Sequence, residues 1–128
     1  MTKRAVHPAE APLPAGPYNH AIIAGGFVFV SGQTPEKPGT DVIEAVGIKE
    51  HTRQVMENIK AILEAAGCGL EDLVKVEAHL KDMKDFDGFN EVYGQYVSQP
   101  YPARITVQSV LPPGDPLVEI SVIAKVKE

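Results

Sequence analysis

Residues 21–33 read AIIAGGFVFVSGQ, and this run constrains the fold more than any other. Two apolar stretches flank Gly25-Gly26, a pair suited to the left-handed backbone of a tight hairpin turn. In the second stretch Phe27, Val28, Phe29 and Val30 are apolar at consecutive positions. Successive strand residues point to opposite faces, so a strand of this kind needs cover on both sides.

The rest of the chain limits what that cover can be. Ile48 to Ala66 carries Ile48, Thr52, Val55, Met56, Ile59, Ile62, Leu63 and Ala66 at three- and four-residue spacing, which predicts a helix stopped by Gly67. A second helix is predicted over Asp85 to Val97, with Phe86, Phe89, Tyr93, Tyr96 and Val97 on its apolar side. Gly88 and Gly94 weaken it by about 1 kcal/mol each relative to alanine. Val74 to Leu80 alternates, with Val74, Val76, Ala78 and Leu80 expected inward and Lys75, Glu77 and His79 outward. Ala103 to Val110 and Leu117 to Val126 read as strands joined by LPPGDP, and a short first strand falls near Arg4 to His7. The Pro-rich HPAEAPLPAGPY, residues 7–18, is expected to be extended and pinned against the domain. The order is βββαβαββ, an α+β fold in one domain spanning residues 1–128. Two helices cover one face of such a sheet. The simplest cover for the other face is another copy of the chain.

Bulk properties exclude several classes of function. The chain has 128 residues, a net charge of −5 and one cysteine, Cys68, so an intrachain disulfide is ruled out. No apolar run approaches the ~20 residues of a membrane helix. The first residues, MTKRAVHPAEAP, lack an apolar signal core. A soluble, cytoplasmic protein is expected. The twelve Lys and Arg are scattered and outnumbered by seventeen Asp and Glu, against the basic patch of a nucleic-acid binder. His7, His20, His51 and His79 show no metal-ligand spacing, and GxxxxGK[ST], GxGxxG and GxSxG are all missing. No metal is expected.

Arg104 opens a strand after Tyr101-Pro102-Ala103 and shares a face with Thr106 and Gln108, opposite Ile105, Val107 and Ser109. Either its stem covers apolar surface while the charge reaches water, or its guanidinium forks a carboxylate through paired N–H donors. Glu119 sits in PLVEISVIA on the face opposite Val118, Ile120, Val122 and Ala124. A carboxylate buried there must be paired or proton-active. If LPPGDP closes a hairpin, Glu119 comes within reach of the Arg104 end, either as a structural partner or as a site residue. Tyr18 in AGPY, Ser31 and Gly32 in SGQ, and Asn90 beside the second helix's apolar side mark turn and surface positions when read singly.

Taken together, Arg104, Glu119, AGPY, SGQTP and DFDGFNEVYGQYV resemble the reactive intermediate deaminase family, also called the RidA or YjgF family, over nearly the whole chain. The resemblance implies a chorismate-mutase-like fold and a homotrimer with a central β-barrel and active sites in the clefts between subunits. It implies that Arg104 binds a substrate carboxylate and Glu119 positions or activates water. It places Tyr18, Ser31, Gly32 and Asn90 in the same cleft, with Thr106 meeting the substrate through its backbone N–H. Ile105 departs from a position often small and polar, and is expected to affect packing more than chemistry.

The implied reaction is hydrolysis of enamines and imines such as 2-aminoacrylate to 2-keto acids and ammonia, without a cofactor. Its substrates would come from pyridoxal-phosphate enzymes. Neither nucleic-acid nor membrane partners are expected. The resemblance leaves open an endoribonuclease-type translation inhibitor, a ligand-sensing trimer, and a pathway deaminase acting on larger substrates such as aminomuconate.

Overall fold

A computed structural model describes residues 2–8, 11–12 and 14–127. Six strands form one mixed sheet: β1 (Arg4–Val6), β2 (Ala21–Ala24), β3 (Phe27–Gln33), β4 (Leu73–Leu80), β5 (Ala103–Gln108) and β6 (Val118–Lys125). Helices α1 (Gly47–Ala65) and α2 (Phe86–Tyr93) complete the predicted order, with short 3₁₀ turns at Leu70–Asp72 and Met83–Asp85. Gly25 and Gly26 both take positive φ, 59° and 83°, and turn β2 into β3 with Ala24 opposite Phe27. The N–H of Cys68 reaches the carbonyl of Leu63 (2.9 Å) and that of Gly67 reaches Glu64 (3.1 Å), with Gly67 left-handed at φ 83°. This paired closure is why α1 stops where the glycine stands.

The core lies between the sheet and the helices. Val28, Val30, Val76, Ala78, Leu80, Val118, Ile120, Val122 and Ala124 meet Val55, Met56, Ile59, Ile62 and Leu63 of α1 and Phe89 of α2, all buried. Ala11 and Pro12 of the Pro-rich segment are buried too, and the Gly39 N–H donates to the Ala11 carbonyl (3.0 Å). Residues 9, 10 and 13 of that segment lie outside the described residues.

The strand order is β1-β2-β3-β6-β4-β5. The hairpin expected between β5 and β6 does not form. β6 is central, antiparallel to both β3 and β4, while β5 runs parallel to β4 at the sheet edge. A parallel neighbour requires a crossover, and α2 supplies it between β4 and β5. Val74 is not inward: the register slips between Leu73 and Lys75 and leaves it 42% exposed. The second helix is shorter than its apolar pattern. Past Tyr93 the chain tightens into i→i−3 bonds, Gln95 N–H to Val92 (3.0 Å) and Tyr96 N–H to Tyr93 (2.9 Å), at the weak helix former Gly94. Phe29, on the face whose cover is expected from another copy of the chain, is 44% exposed on the side of the sheet away from the helices.

Candidate active site

Register decides which side chains can meet. Arg104 lies beside Val76, a core residue, so its side chain is on the helix side of the sheet. Glu119 lies beside His79, one step out of phase with the core residues Val118 and Ile120, so it faces the open side. The structural Arg104–Glu119 pair between adjacent strands is therefore excluded, because β4 separates their strands and the two side chains leave opposite faces. Within one protomer the candidate residues fall into two groups.

The first group surrounds Glu119. Tyr18, Ser31, Gly32, Thr34, Glu36 and Glu119 line a cavity of about 730 Å³, roofed by Pro112, Pro113 and Gly114. Burial raises the Glu119 carboxyl above its ordinary value; His79 partly offsets this and the charge of Glu36 adds to it. Gly32 makes room for that carboxylate. A Cβ built there would stand 2.7 Å from Glu119 Oε2 and 2.9 Å from Cδ. Ser31 sits where the β3–β6 register slips between Val30 and Gln33. Its hydroxyl donates to the Asn19 carbonyl (2.6 Å) and its N–H to the His20 carbonyl (2.9 Å), which fixes the strand end. Tyr18 is 44% exposed, and its hydroxyl accepts from the Ala15 N–H (3.1 Å).

Glu36 and His79 enter this neighbourhood unannounced by the sequence. Glu36 accepts from the Thr34 hydroxyl at 2.6 and 2.7 Å through its two oxygens, and buried Asn58 donates to its backbone carbonyl (2.9 Å). His79 is tied through Nδ1 to Ser109 Oγ (2.7 Å).

The second group surrounds Arg104. Asn90, Tyr93, Tyr101, Pro102 and Arg104 line a cavity of about 310 Å³. Arg104 Nη1 donates to Asn90 Oδ1 (2.7 Å). The guanidinium carbon lies 5.0, 5.4 and 5.8 Å from the ring centres of Tyr93, Phe89 and Phe86. Among the described residues no carboxylate lies within salt-bridge distance of it. Thr106 shares the helix side with Arg104, beside Ala78, and its hydroxyl is buried without a hydrogen-bond partner among the described residues. Ile105 points to the open face and is 48% exposed. The aromatic trio shows in the sequence only as a helix's apolar stripe. Its second use depends on β5 lying parallel to β4, which local patterning does not encode.

A six-stranded mixed sheet covered by two helices, with a carboxylate cavity on one side and a guanidinium held by Asn90 on the other, defines a small α+β class of protein. The family profile described as Endoribonuclease L-PSP matches residues 8–126, and the chain belongs to that family, which also carries the RutC and RidA names. A RutC family protein of Pyrococcus horikoshii is 51% identical over 122 residues, covering 95% of this chain and 97% of that one. The 2-iminobutanoate/2-iminopropanoate deaminase of Homo sapiens is 33% identical over 124 residues, covering 97% and 90%. The crystal structure of RidA from an Antarctic Psychrobacter superposes with a TM-score of 0.91 at 41% identity, covering 96% of this chain and 99% of that one.

Proposed function

We propose that this protein hydrolyses small reactive enamines and imines of amino acids, such as 2-aminoacrylate, to 2-keto acids and ammonia. One observation carries the reading: Arg104 holds a guanidinium at a cavity, with Asn90 as its acceptor and no carboxylate among the described residues within salt-bridge distance. A planar fork of donors in that state suits a carboxylate that arrives with a substrate. The deaminase name of the human relative supports the same chemistry.

The steps follow from the groups present. 2-Aminoacrylate takes a proton at its methylene carbon, gives one up from nitrogen and becomes the imine. Arg104 binds the carboxylate and draws electron density from the neighbouring C=N. Water adds to the imine carbon as Glu119 accepts its proton, and that proton passes to nitrogen. The hydroxyl of the resulting carbinolamine then gives its proton to nitrogen by way of Glu119 as the C–N bond breaks, so that ammonia leaves and the carbonyl of the keto acid remains. A carboxyl raised by burial lies nearer the working pH, where a general base is most effective, and such catalysis typically contributes ~10²–10⁴-fold. Gly32, Tyr18 and Ser31 shape the Glu119 half; Asn90 and Thr106 belong to the Arg104 half.

The two halves leave opposite faces of the sheet, so a single copy cannot close both on one small molecule. We take the cleft to form between copies, in the homotrimer that the family resemblance implies, with Glu119 from one subunit and Arg104 from the next. The exposed Phe29 and Ile105 on the open face fit burial against such a neighbour. The acidic lining of Glu36, Asp41 and Glu119 disfavours a phosphate backbone and with it the ribonuclease reading.

The test generates 2-aminoacrylate in situ with a pyridoxal-phosphate dehydratase and follows keto-acid release. Wild-type protein is expected to accelerate release and Arg104→Ala to lose that acceleration while keeping its oligomeric state. Wild-type protein that leaves the release rate unchanged refutes the deaminase reading.

A further inference from the structure

Arg104 stands on an edge strand, where a long cationic side chain ordinarily samples many rotamers. Here it does not lie free. Phe86, Phe89 and Tyr93 recur at i, i+3 and i+7 on α2, with Asn90 one turn after Phe86, so all four present one stripe. Phe89 and Tyr93 stack with centres 5.4 Å apart at 27°, and both are buried. The guanidinium lies within 6 Å of all three rings, while Asn90 Oδ1 takes one in-plane donor. Burial raises the Tyr93 phenol and the charge of Arg104 pulls it back, as expected of a ring in contact with the cation.

We propose that the Phe86–Phe89–Tyr93 stripe of α2 is a positioning device for Arg104: it holds the guanidinium plane and one rotamer in advance, so that the remaining in-plane donors meet a substrate carboxylate without an ordering cost. Tyr93, with the nearest ring, is the principal positioning residue. The physical basis is twofold. Aromatic faces attract a cation and exclude water from its flat side. A planar ion stacked on a ring keeps its edges, which carry the N–H donors, available for bidentate bonding. Lysine, a point charge without a plane, cannot use the same floor. The proposal rests on the reading of Arg104 as a carboxylate fork, and the experiment separates the two.

Wild-type full-length protein, Tyr93→Phe, Tyr93→Leu, Phe86→Leu and Arg104→Ala are titrated with 2-ketobutyrate, a product-like carboxylate, while the Arg104 Nε–Hε resonance is followed by NMR. Turnover of 2-aminoacrylate is measured in parallel. In wild type the Hε resonance is expected upfield of an exposed arginine through ring currents. Tyr93→Phe keeps that shift and the affinity. Tyr93→Leu loses much of the shift and weakens 2-ketobutyrate binding by about three- to tenfold, the size of one partly desolvated cation–π contact. Its turnover at saturation falls by a smaller factor than its affinity, since the floor acts first on binding the carboxylate. Phe86→Leu, at a half-buried position that tolerates truncation, shows the same changes in smaller measure. An ordinary Hε shift in wild type overturns the proposal. So does wild-type affinity in both leucine variants alongside a dead Arg104→Ala, which leaves the rings as core and Arg104 as the fork. Full affinity and turnover in Arg104→Ala overturn the site reading itself, and the cradle with it.

Discussion

At the scale of single residues, the sharpest constraint is between Gly32 and Glu119. Gly32→Ala puts a methyl 2.7 Å from Oε2, and only the carboxylate can move away, since it is the end of a flexible side chain. The expected result is a fold disturbed by less than about 1 kcal/mol and a turnover reduced roughly tenfold to hundredfold, because small misplacements of a reacting group are expensive. Thermal melting and the keto-acid assay read the two effects separately. Glu119 also carries a signed pH effect. Its carboxyl is raised in the folded state, chiefly by burial, so between the ordinary glutamate value and the raised one the folded chain holds more protons than the unfolded chain. Stability contributed by this group is then complete at low pH and is lost as pH rises through the raised value. Glu119→Gln removes the charge that is lost to burial. It is expected to raise the melting temperature at pH 7–8, with the gain shrinking to nothing as pH approaches the ordinary glutamate range.

At the scale of elements, Gly88 shows how a local rule can point the wrong way. Helix propensity alone makes Gly88→Ala favourable by about 1 kcal/mol. The structure sets α1 against α2 at this point, and an alanine Cβ would stand 2.8 Å from Ile48 Cγ2. Overpacking of that kind costs about 1–3 kcal/mol, so Gly88→Ala is expected to destabilise the wild-type protein and to stabilise an Ile48→Ala background. Denaturant midpoints of the four-member cycle check it. The same contrast separates what the sequence disclosed from what it did not. The Gly25-Gly26 hairpin and the α1 stripe ending at Gly67 were legible because period and turn chemistry act within a few residues. The partner of β5 was not. LPPGDP offers turn residues suited to a hairpin, yet β4, some thirty residues earlier in the chain, takes the place beside both strands. That order is a long-range arrangement, with α2 as the crossover between β4 and β5, and it leaves Arg104 and Glu119 on opposite faces. Arg104, Glu119, Tyr18, Ser31, Gly32, Asn90 and Thr106 could be named as candidates from motifs, whereas Glu36, His79 and the division of the candidates between two faces of the sheet could not.

At the scale of the whole molecule, the proposed assembly would rest on the open sheet face. Phe29 is flanked in register by Ile22 and Ile123, and Ile105 lies further across the same face. Replacing Phe29 with Asp places a charge in the middle of this apolar surface and is expected to dissociate the proposed oligomer and abolish turnover, even though Phe29 lines neither cavity. Sedimentation velocity and the keto-acid assay on one sample check both. The placement of β6 has a further consequence, in the timing of folding. It is the last strand in chain order and the middle one in space, so β1–β3 and β4–β5 are two separate ribbons until residues 118–125 join them. Before that moment each ribbon presents a bare edge, Phe27–Gln33 on one and Leu73–Leu80 on the other, able to pair with any passing strand. A ribosome stalled ahead of residue 118 would thus hold an aggregation-prone intermediate, and the segment that delivers Glu119 is also the one that seals the sheet.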